Sequence, residues 1–155
     1  MEIFFKEKQK FTQWWLWSIL LIFPLLSVIP FNDKGVNLFY VFIGVSIPLL
    51  FYLFELRTFI SNEGLHYQFF PFHLKTHLIK IDDIEKIEAL QYKPFGDYGG
   101  WGIRYGFKGK AYNVNGNKGV KVHLSNDRNI LFGSKKHIEF HKALKKVYKE
   151  KQQRN

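Results

Sequence analysis

Two long apolar runs open the chain, Trp14–Phe31 and Leu38–Phe54, and neither contains an Asp, Glu, Lys or Arg. Only residues 32–37 separate them. A helix rises about 1.5 Å per residue, so about 17–25 apolar residues cross the hydrocarbon core of a bilayer, which is about 30 Å thick. Both runs have that length, and the pattern therefore predicts a hairpin of two transmembrane helices.

Two other interpretations of the first run fit its pattern less well. The apolar region of a cleaved signal peptide has about 7–15 residues and ends at small residues, whereas this run is longer and ends at Pro30 and Phe31. Two core helices that are apolar on every face need a large protein around them, and only residues 55–155 remain to cover them.

Beyond Glu55 the apolar positions alternate with polar ones over short stretches. Val120, Val122 and Leu124, for example, are separated by polar residues, a pattern typical of half-buried strands. About seven short strands are predicted, and the pair Asn115-Gly116 is the strongest turn signal because both residues tolerate positive φ.

The tail Ser134–Gln152 has helical spacing. Phe140, Leu144, Val147 and Tyr148 form one apolar face, and the first residue of the segment is the predicted N-cap. Short strands followed by one amphipathic helix predict an α+β membrane protein, in which the two transmembrane helices precede a bent antiparallel sheet or partial barrel capped by the C-terminal helix.

The net charge of +10 lies mainly in residues 55–155, which carry 19 Lys and Arg against 10 Asp and Glu. Lys and Arg beside membrane helices stay on the cytoplasmic side, so Lys6, Lys8, Lys10 and Arg57 predict that both termini are cytoplasmic and that residues 32–37 face outward. The predicted organisation is an interfacial segment and hairpin over residues 1–56, with spans 14–31 and 38–54, and a cytoplasmic domain over residues 57–155. The predicted location is the cell (inner) membrane, crossed more than once.

Several segments of the second domain carry a likeness to a known superfold: Arg57–Ser61 with Gly64 and Leu65, Ile81–Ile87, Gly100–Arg104, Ala111–Asn113, Gly119–Val122 and Ile130–Ser134. Their order resembles the pleckstrin-homology (PH) superfold. The whole chain resembles small bacterial membrane proteins, an uncharacterised family, in which a transmembrane hairpin precedes a PH-like domain. The resemblance implies a membrane-anchored binding or assembly module. The loop that binds inositol phosphates in eukaryotic relatives of the superfold corresponds here to Ser61–Gly64, which has no Lys or Arg. The resemblance therefore does not imply that this loop binds inositol phosphates.

The segment Gly99–Gly106 is the most distinctive stretch of the domain. It fails as a dinucleotide fingerprint because Tyr105 stands at the third glycine position and a strand, not a helix, follows. Its glycines favour a loop with unusual backbone angles, which makes Trp101 and Arg104 the candidate partner-binding residues. The alternative is that Trp101 belongs to the core and Arg104 is a solvated strand residue.

No constellation of residues in the chain predicts catalysis, a cofactor or a metal ion. His137 and His141 have a spacing that can hold zinc, but no Glu follows His137 as in H-E-x-x-H. His73 and His77 are predicted on one strand face, too far apart for one ion. There are no cysteines, and adjacent acidic residues on a strand face opposite sides. We therefore predict no enzyme activity, no catalytic residues, no cofactor and no metal site.

The basic residues favour weak attraction to anionic lipid over a nucleic-acid site, with a solvated helix face as the alternative. The candidate lipid contacts are Lys6, Lys8, Lys10, Arg57, Lys142, Lys145, Lys146 and Lys149. The predicted function is a membrane-anchored, non-enzymatic interaction or scaffold module, and the alternative is an accessory subunit of a membrane transport or export assembly. The expected partners are the lipid bilayer and either another protein or a second copy bound through the hairpin, with no nucleic acid and no small-molecule substrate.

Overall fold

A computed structural model describes residues 2–29, 37–106 and 108–153 of the chain. Within these ranges the protein is an α+β fold with two β-sheets and four α-helices. The elements are, in chain order, β1 Ile3–Lys10, α1 Trp14–Ser27, α2 Leu38–Leu53, β2 Glu55–Ser61, β3 Gly64–Phe70, β4 His77–Lys80, β5 Ile84–Gln91, α3 Pro94–Tyr98, β6 Gly102–Gly106, β7 Gly109–Asn113, β8 Lys118–Leu124, β9 Asn129–Gly133 and α4 His137–Gln152. Contacts divide the chain into two units, Met1–Gln9 with Glu55–Asn155, and Lys10–Phe54.

The prediction of a transmembrane hairpin is wrong. Helix α1 has 14 residues and α2 has 16, so they are about 21 Å and about 24 Å long, short of the roughly 30 Å that a span must cover. Among the residues described, no helix combines the length and the apolar character that crossing a bilayer requires. The class of α+β membrane protein and the multi-pass location in the inner membrane are corrected accordingly.

The first apolar run contains two prolines, Pro24 inside α1 and Pro30 beyond the end of this helix. Ile29 precedes Pro30, and a residue before proline is disfavoured in a helix. The described helix ends at Ser27. Residues 30–36, which include the end of the predicted first span and most of the predicted outward loop, lie outside the described residues.

The unit Lys10–Phe54 is built on close packing of α1 against α2. A Cβ atom at Gly44 of α2 would lie 2.9 Å from the Ser27 hydroxyl oxygen and 3.0 Å from the Phe23 carbonyl oxygen, so a larger residue would require α1 to shift. At the start of the unit, the Trp17 indole N–H donates to the Phe11 carbonyl at 2.9 Å, and the Phe11 ring packs edge-on against Phe51 at 5.6 Å.

The first sheet of the other unit has the strand order β1-β2-β3-β4. We expected an interfacial segment at the N-terminus, but Ile3–Lys10 is the first strand of this sheet. The physical reason is its alternation, because Phe5, Glu7 and Gln9 are buried whereas the lysines between them are exposed. Strands β2 and β3 pair antiparallel from Glu55 opposite Phe70 to Ser61 opposite Gly64.

The second sheet has the strand order β5-β8-β9-β7-β6, and it corrects the prediction of one antiparallel sheet of about seven strands. The described residues contain nine strands in two sheets, and β7 runs parallel to β9. This parallel pair arises because β9 folds back along β8 and then lies between β8 and β7. Local alternation predicts individual strands but carries no information on which strands become neighbours.

Helix α4 confirms the predicted apolar face. Phe140, Leu144 and Val147 are buried, and the helix contacts β2 and β3 of the first sheet as well as β5 and β8 of the second. The Phe140 ring stacks on Phe5 of β1 at 5.0 Å. The helix begins at His137, so the predicted N-cap at Ser134 is wrong. The core therefore lies between the two sheets and α4.

Candidate functional site

The short helix α3 lies immediately before the glycine-rich segment Gly99–Gly106. Proline at its first position suits a helix start, where its missing N–H leaves no bond unmade. The Asp97 carboxylate accepts a 2.9 Å hydrogen bond from the Lys93 backbone N–H and pairs with the Lys108 ammonium at 2.8 Å. The Lys108 bond, then the Lys93 N–H, hold the pKa of Asp97 below its usual value. Gly99 ends the helix at φ 72°, where glycine is favoured.

The turn after α3 brings the two predicted partner-binding residues together. The Trp101 indole N–H donates to the Gly116 carbonyl at 2.9 Å, which holds the ring against the β7–β8 turn. The Trp101 carbonyl in turn accepts a 2.9 Å hydrogen bond from Arg104 Nε. Trp101 is half-buried and Arg104 is exposed, so neither belongs to the core.

Two aromatic residues that sequence reasoning missed complete this surface. The Phe95 ring meets the Trp101 ring edge-on at 4.9 Å and stays 65% exposed. Tyr105 is 77% exposed, with the Lys110 ammonium 4.9 Å from its ring centre. The available signal was the concentration of aromatic residues between positions 95 and 105. We call Phe95, Trp101, Arg104 and Tyr105 the aromatic–arginine surface.

Strand β6, which carries part of this surface, is one of the two edge strands of its sheet. It pairs with β7 on one side, from Gly102 opposite Asn113 to Gly106 opposite Gly109. In an antiparallel ladder, alternate residues direct their backbone groups away from the partner strand. Within the described ranges, no backbone hydrogen bond reaches β6 on the side away from β7. Such an edge is a template for a further strand.

The charge around the edge is positive. Positions 93–113 contain four cations, Lys93, Arg104, Lys108 and Lys110, and one acid, Asp97, for a net charge of 4 − 1 = +3. In the part of the chain that the structure describes, no carboxylate lies within ion-pair distance of Arg104, whereas Lys108 is paired with Asp97. The surface is therefore complementary to an acidic segment.

A buried hydrogen-bond network holds the start of β6 in place. The Asn113 side chain is fully buried. Its amide oxygen accepts a 2.9 Å hydrogen bond from the Gly102 backbone N–H, and its amide nitrogen donates to the Tyr92 hydroxyl at 3.1 Å. Burial, opposed by the Asn113 bond, raises the pKa of Tyr92 to about 12. Asn113 thus connects the core to the aromatic–arginine surface.

The predicted lipid-contact residues lie on different elements of the two units. Lys6, Lys8 and Arg57 share one face of the first sheet. Lys10 belongs to the other unit, with its ammonium 4.8 Å from the centre of the Tyr52 ring. The remaining four are exposed on α4, where Lys146 lies 3.8 Å from the Glu150 carboxylate. The four are Lys142, Lys145, Lys146 and Lys149.

The histidines differ from the prediction in one respect. His73 and His77 were expected too far apart to share an ion, but their ring centres are 4.4 Å apart, because His73 lies in the connection before β4. His137 and His141 are both on α4, as predicted. Across residues 2–29, 37–106 and 108–153, no three His, Asp or Glu side chains come together as ligands for a metal ion.

Ser61 and His66 have the geometry of a catalytic dyad, but a substrate cannot reach them. His66 Nε2 lies 2.9 Å from the Ser61 hydroxyl oxygen, and burial lowers the pKa of His66, with Glu63 acting in the opposite direction. A nucleophilic serine must reach a substrate, but Ser61 is 0% exposed and the Phe59 ring stacks on His66 at 4.3 Å. The pair stabilises the β2–β3 hairpin.

Comparison with known proteins returns no relative, since no protein-family model and no curated protein matches the sequence.

Proposed function

We propose that this chain is a non-enzymatic protein-interaction module whose partner adds an extended, acidic segment to the edge of β6. The observation that carries the proposal is the open edge of β6, bordered by the aromatic–arginine surface. In strand addition, main-chain hydrogen bonds supply affinity and alternate side chains supply specificity. The geometry of β6 meets both requirements.

The residue types at this edge support the same function. Tyr, Trp and Arg dominate the binding energy of many protein interfaces: Tyr and Trp bury large areas with little loss of side-chain freedom, and Arg adds a charged group with several hydrogen-bond donors. Phe95 and Tyr105 are largely exposed to solvent, so they are available to a partner and contribute little to the core. The net charge of +3 between positions 93 and 113 selects a partner segment that carries Asp or Glu.

The resemblance of the chain to PH-like domains, which are generally binding or assembly modules, supports this class of function. Fold alone does not determine function, so the proposal rests on the edge strand and the side chains around it.

The test uses a fluorescent peptide of about ten residues that alternates Glu with Val. The peptide is long enough to form one strand, and its negative charge is complementary to the positive charge around β6. We expect the full chain to bind it and Arg104→Glu to weaken binding about tenfold or more, because like charges then face each other. Lys149→Glu makes the same charge change on exposed α4 and is the matched control, for which binding stays unchanged. A Lys-Val peptide of the same length should not bind.

A second peptide separates strand pairing from contact through side chains alone. It has the same sequence, with N-methyl groups on the alternate amides that would face β6, so that it cannot donate to the edge. We expect its binding to be lost. Equal binding of both peptides would overturn strand addition, and an equal loss in Arg104→Glu and Lys149→Glu would overturn the assigned surface.

A further inference from the structure

A cleft on the first sheet lies apart from the aromatic–arginine surface. It has a volume of about 510 Å³ and is lined by Lys6 and Lys8 of β1, Arg57 and Phe59 of β2, and Gln68 of β3, among others. These side chains lie on the sheet face opposite to the buried residues Phe5, Leu56 and Ile60. The volume falls within the range of small-molecule sites. We call it the sheet-face cleft.

The cations of the cleft exceed its acids. Glu55 is buried, and its two carboxylate oxygens are taken by Lys8, at 3.0 Å, and by Arg57. Arg57 pairs with Glu55 through Nε, and its side chain is half-exposed, so its guanidinium can also be reached from solvent. Lys6 is exposed, and no carboxylate of a described residue lies within ion-pair distance of it.

The remaining acid at the cleft is engaged elsewhere. Glu7 lies on the opposite face of β1 from the lysines, and its carboxylate accepts hydrogen bonds from the Ser134 hydroxyl and the Lys135 backbone N–H. On the open face, Lys6, Lys8 and Arg57 against Glu55 leave a local charge of 3 − 1 = +2. A phosphate monoester carries about −1.5 to −2 at pH 7.

We infer that the sheet-face cleft binds a phosphate monoester, which contacts Lys6 Nζ and the terminal amino groups of Arg57. The planar guanidinium matches phosphate oxygens in a forked arrangement, and an ammonium adds a point charge beside it. Phe59 is half-exposed at the same cleft and offers an apolar wall to the organic group of the ester. The phosphate belongs either to a small soluble monoester or to a lipid with a monoester headgroup such as phosphatidic acid, because both present the same charged group.

The experiment is calorimetric titration of the full chain with phenyl phosphate. Phenyl sulfate has the same shape with one negative charge and is the matched control ligand. We expect saturable binding of the phosphate and binding of the sulfate that is about tenfold weaker, because the sulfate presents the same three oxygens with less negative charge to the cations. Lys6→Gln and Arg57→Gln should each weaken phosphate binding by a similar factor, and Lys149→Gln should leave it unchanged.

A second variant and a set of lipid vesicles are also measured. Among the described residues Lys6 forms no ion pair, so Lys6→Gln tests the cleft even if Arg57→Gln destabilises the fold through Glu55. Vesicles of phosphatidylcholine with and without phosphatidic acid assign the source: binding that requires phosphatidic acid and Lys6 identifies a headgroup, and binding to phenyl phosphate alone identifies a soluble ester. The inference is overturned if neither probe binds, or if Lys149→Gln weakens binding as much as Lys6→Gln. Since the peptide assay concerns β6, either result stands independently of the proposed function.

Discussion

The Ser134 hydroxyl donates a 2.6 Å hydrogen bond to the Glu7 carboxylate, across 127 positions of the chain. The second Glu7 oxygen accepts from the Lys135 backbone N–H at 3.1 Å, and the Ser134 oxygen accepts from the Lys136 N–H at 3.0 Å. Both side chains are buried. This network attaches the first strand to the segment that leads into α4, so the N-terminal segment is an integral part of the domain.

Removal of either partner in this network should destabilise the domain. We expect Glu7→Gln and Ser134→Ala each to lower the free energy of unfolding by about 1–3 kcal/mol, because each leaves a buried polar group without its partner. In a double-mutant cycle measured by urea denaturation, the combined loss should be smaller than the sum. Lys135→Ala is the control, since that residue contributes only its backbone N–H. A strictly additive double mutant would show that the two side chains do not interact.

The close approach of α3 to β6 depends on glycine at position 106. A Cβ atom there would lie 2.4 Å from the Asp97 carbonyl oxygen, and backbone atoms cannot move away without displacing the helix. We expect Gly106→Ala to cost about 1–3 kcal/mol of stability and to weaken peptide binding. Gly96→Ala, which meets only ordinary contacts, should be neutral or slightly stabilising. Equal stability of the two variants would contradict the described packing.

Stability should fall in mildly acidic solution because of His73. Burial, together with His77 and Lys110, lowers the pKa of His73 from its usual value of 6.5, and Nδ1 accepts a hydrogen bond from the Phe69 N–H. The unfolded chain therefore binds a proton at higher pH than the folded chain. The contribution of neutral His73 is fully present above about pH 6.5 and is lost as the pH falls through the lowered pKa.

The measurement is urea denaturation at several pH values on both sides of 6.5. We expect His73→Gln to reduce the pH dependence of the free energy of unfolding just below pH 6.5. Ser125→Ala changes no titrating group and should retain the full pH dependence. Burial also lowers the pKa of His66, so His66→Gln should reduce this pH dependence further. A slope that survives both histidine substitutions would refute this assignment.

The Asn113 network should connect the core to partner binding. Asn113→Ala leaves the Gly102 N–H without its acceptor, and we expect about 1–3 kcal/mol of lost stability together with weaker peptide binding. Tyr92→Phe retains that acceptor and removes only the hydroxyl, so its loss should be about 0.5–1.5 kcal/mol with peptide binding retained. In an ultraviolet titration, Tyr92→Phe should also remove the ionisation expected near pH 12. Equal losses of peptide affinity in the two variants would show that Asn113 does not position β6.

The sequence predicted the elements whose pattern repeats locally. Phe140, Leu144 and Val147 recur at helical spacing and are buried in α4, and the alternation of Val120, Val122 and Leu124 predicted β8. The candidate site was predicted in part: glycine-rich spacing pointed to Trp101 and Arg104, but Phe95 and Tyr105 were missed. Their exposure depends on how α3 and β7 lie against β6, which no local pattern records.

Local side-chain patterns by themselves predicted helices in the two apolar runs and in the C-terminal tail, and short strands between them, because side-chain periodicity acts over a few residues. The parallel pairing of β7 with β9 and the bond between Glu7 and Ser134 were decided only in the folded chain. Each depends on groups that are distant in sequence, and their contacts form only when the loops between them close. The open edge of β6 is of the same kind, since a strand is at an edge only after every other strand has found its neighbours.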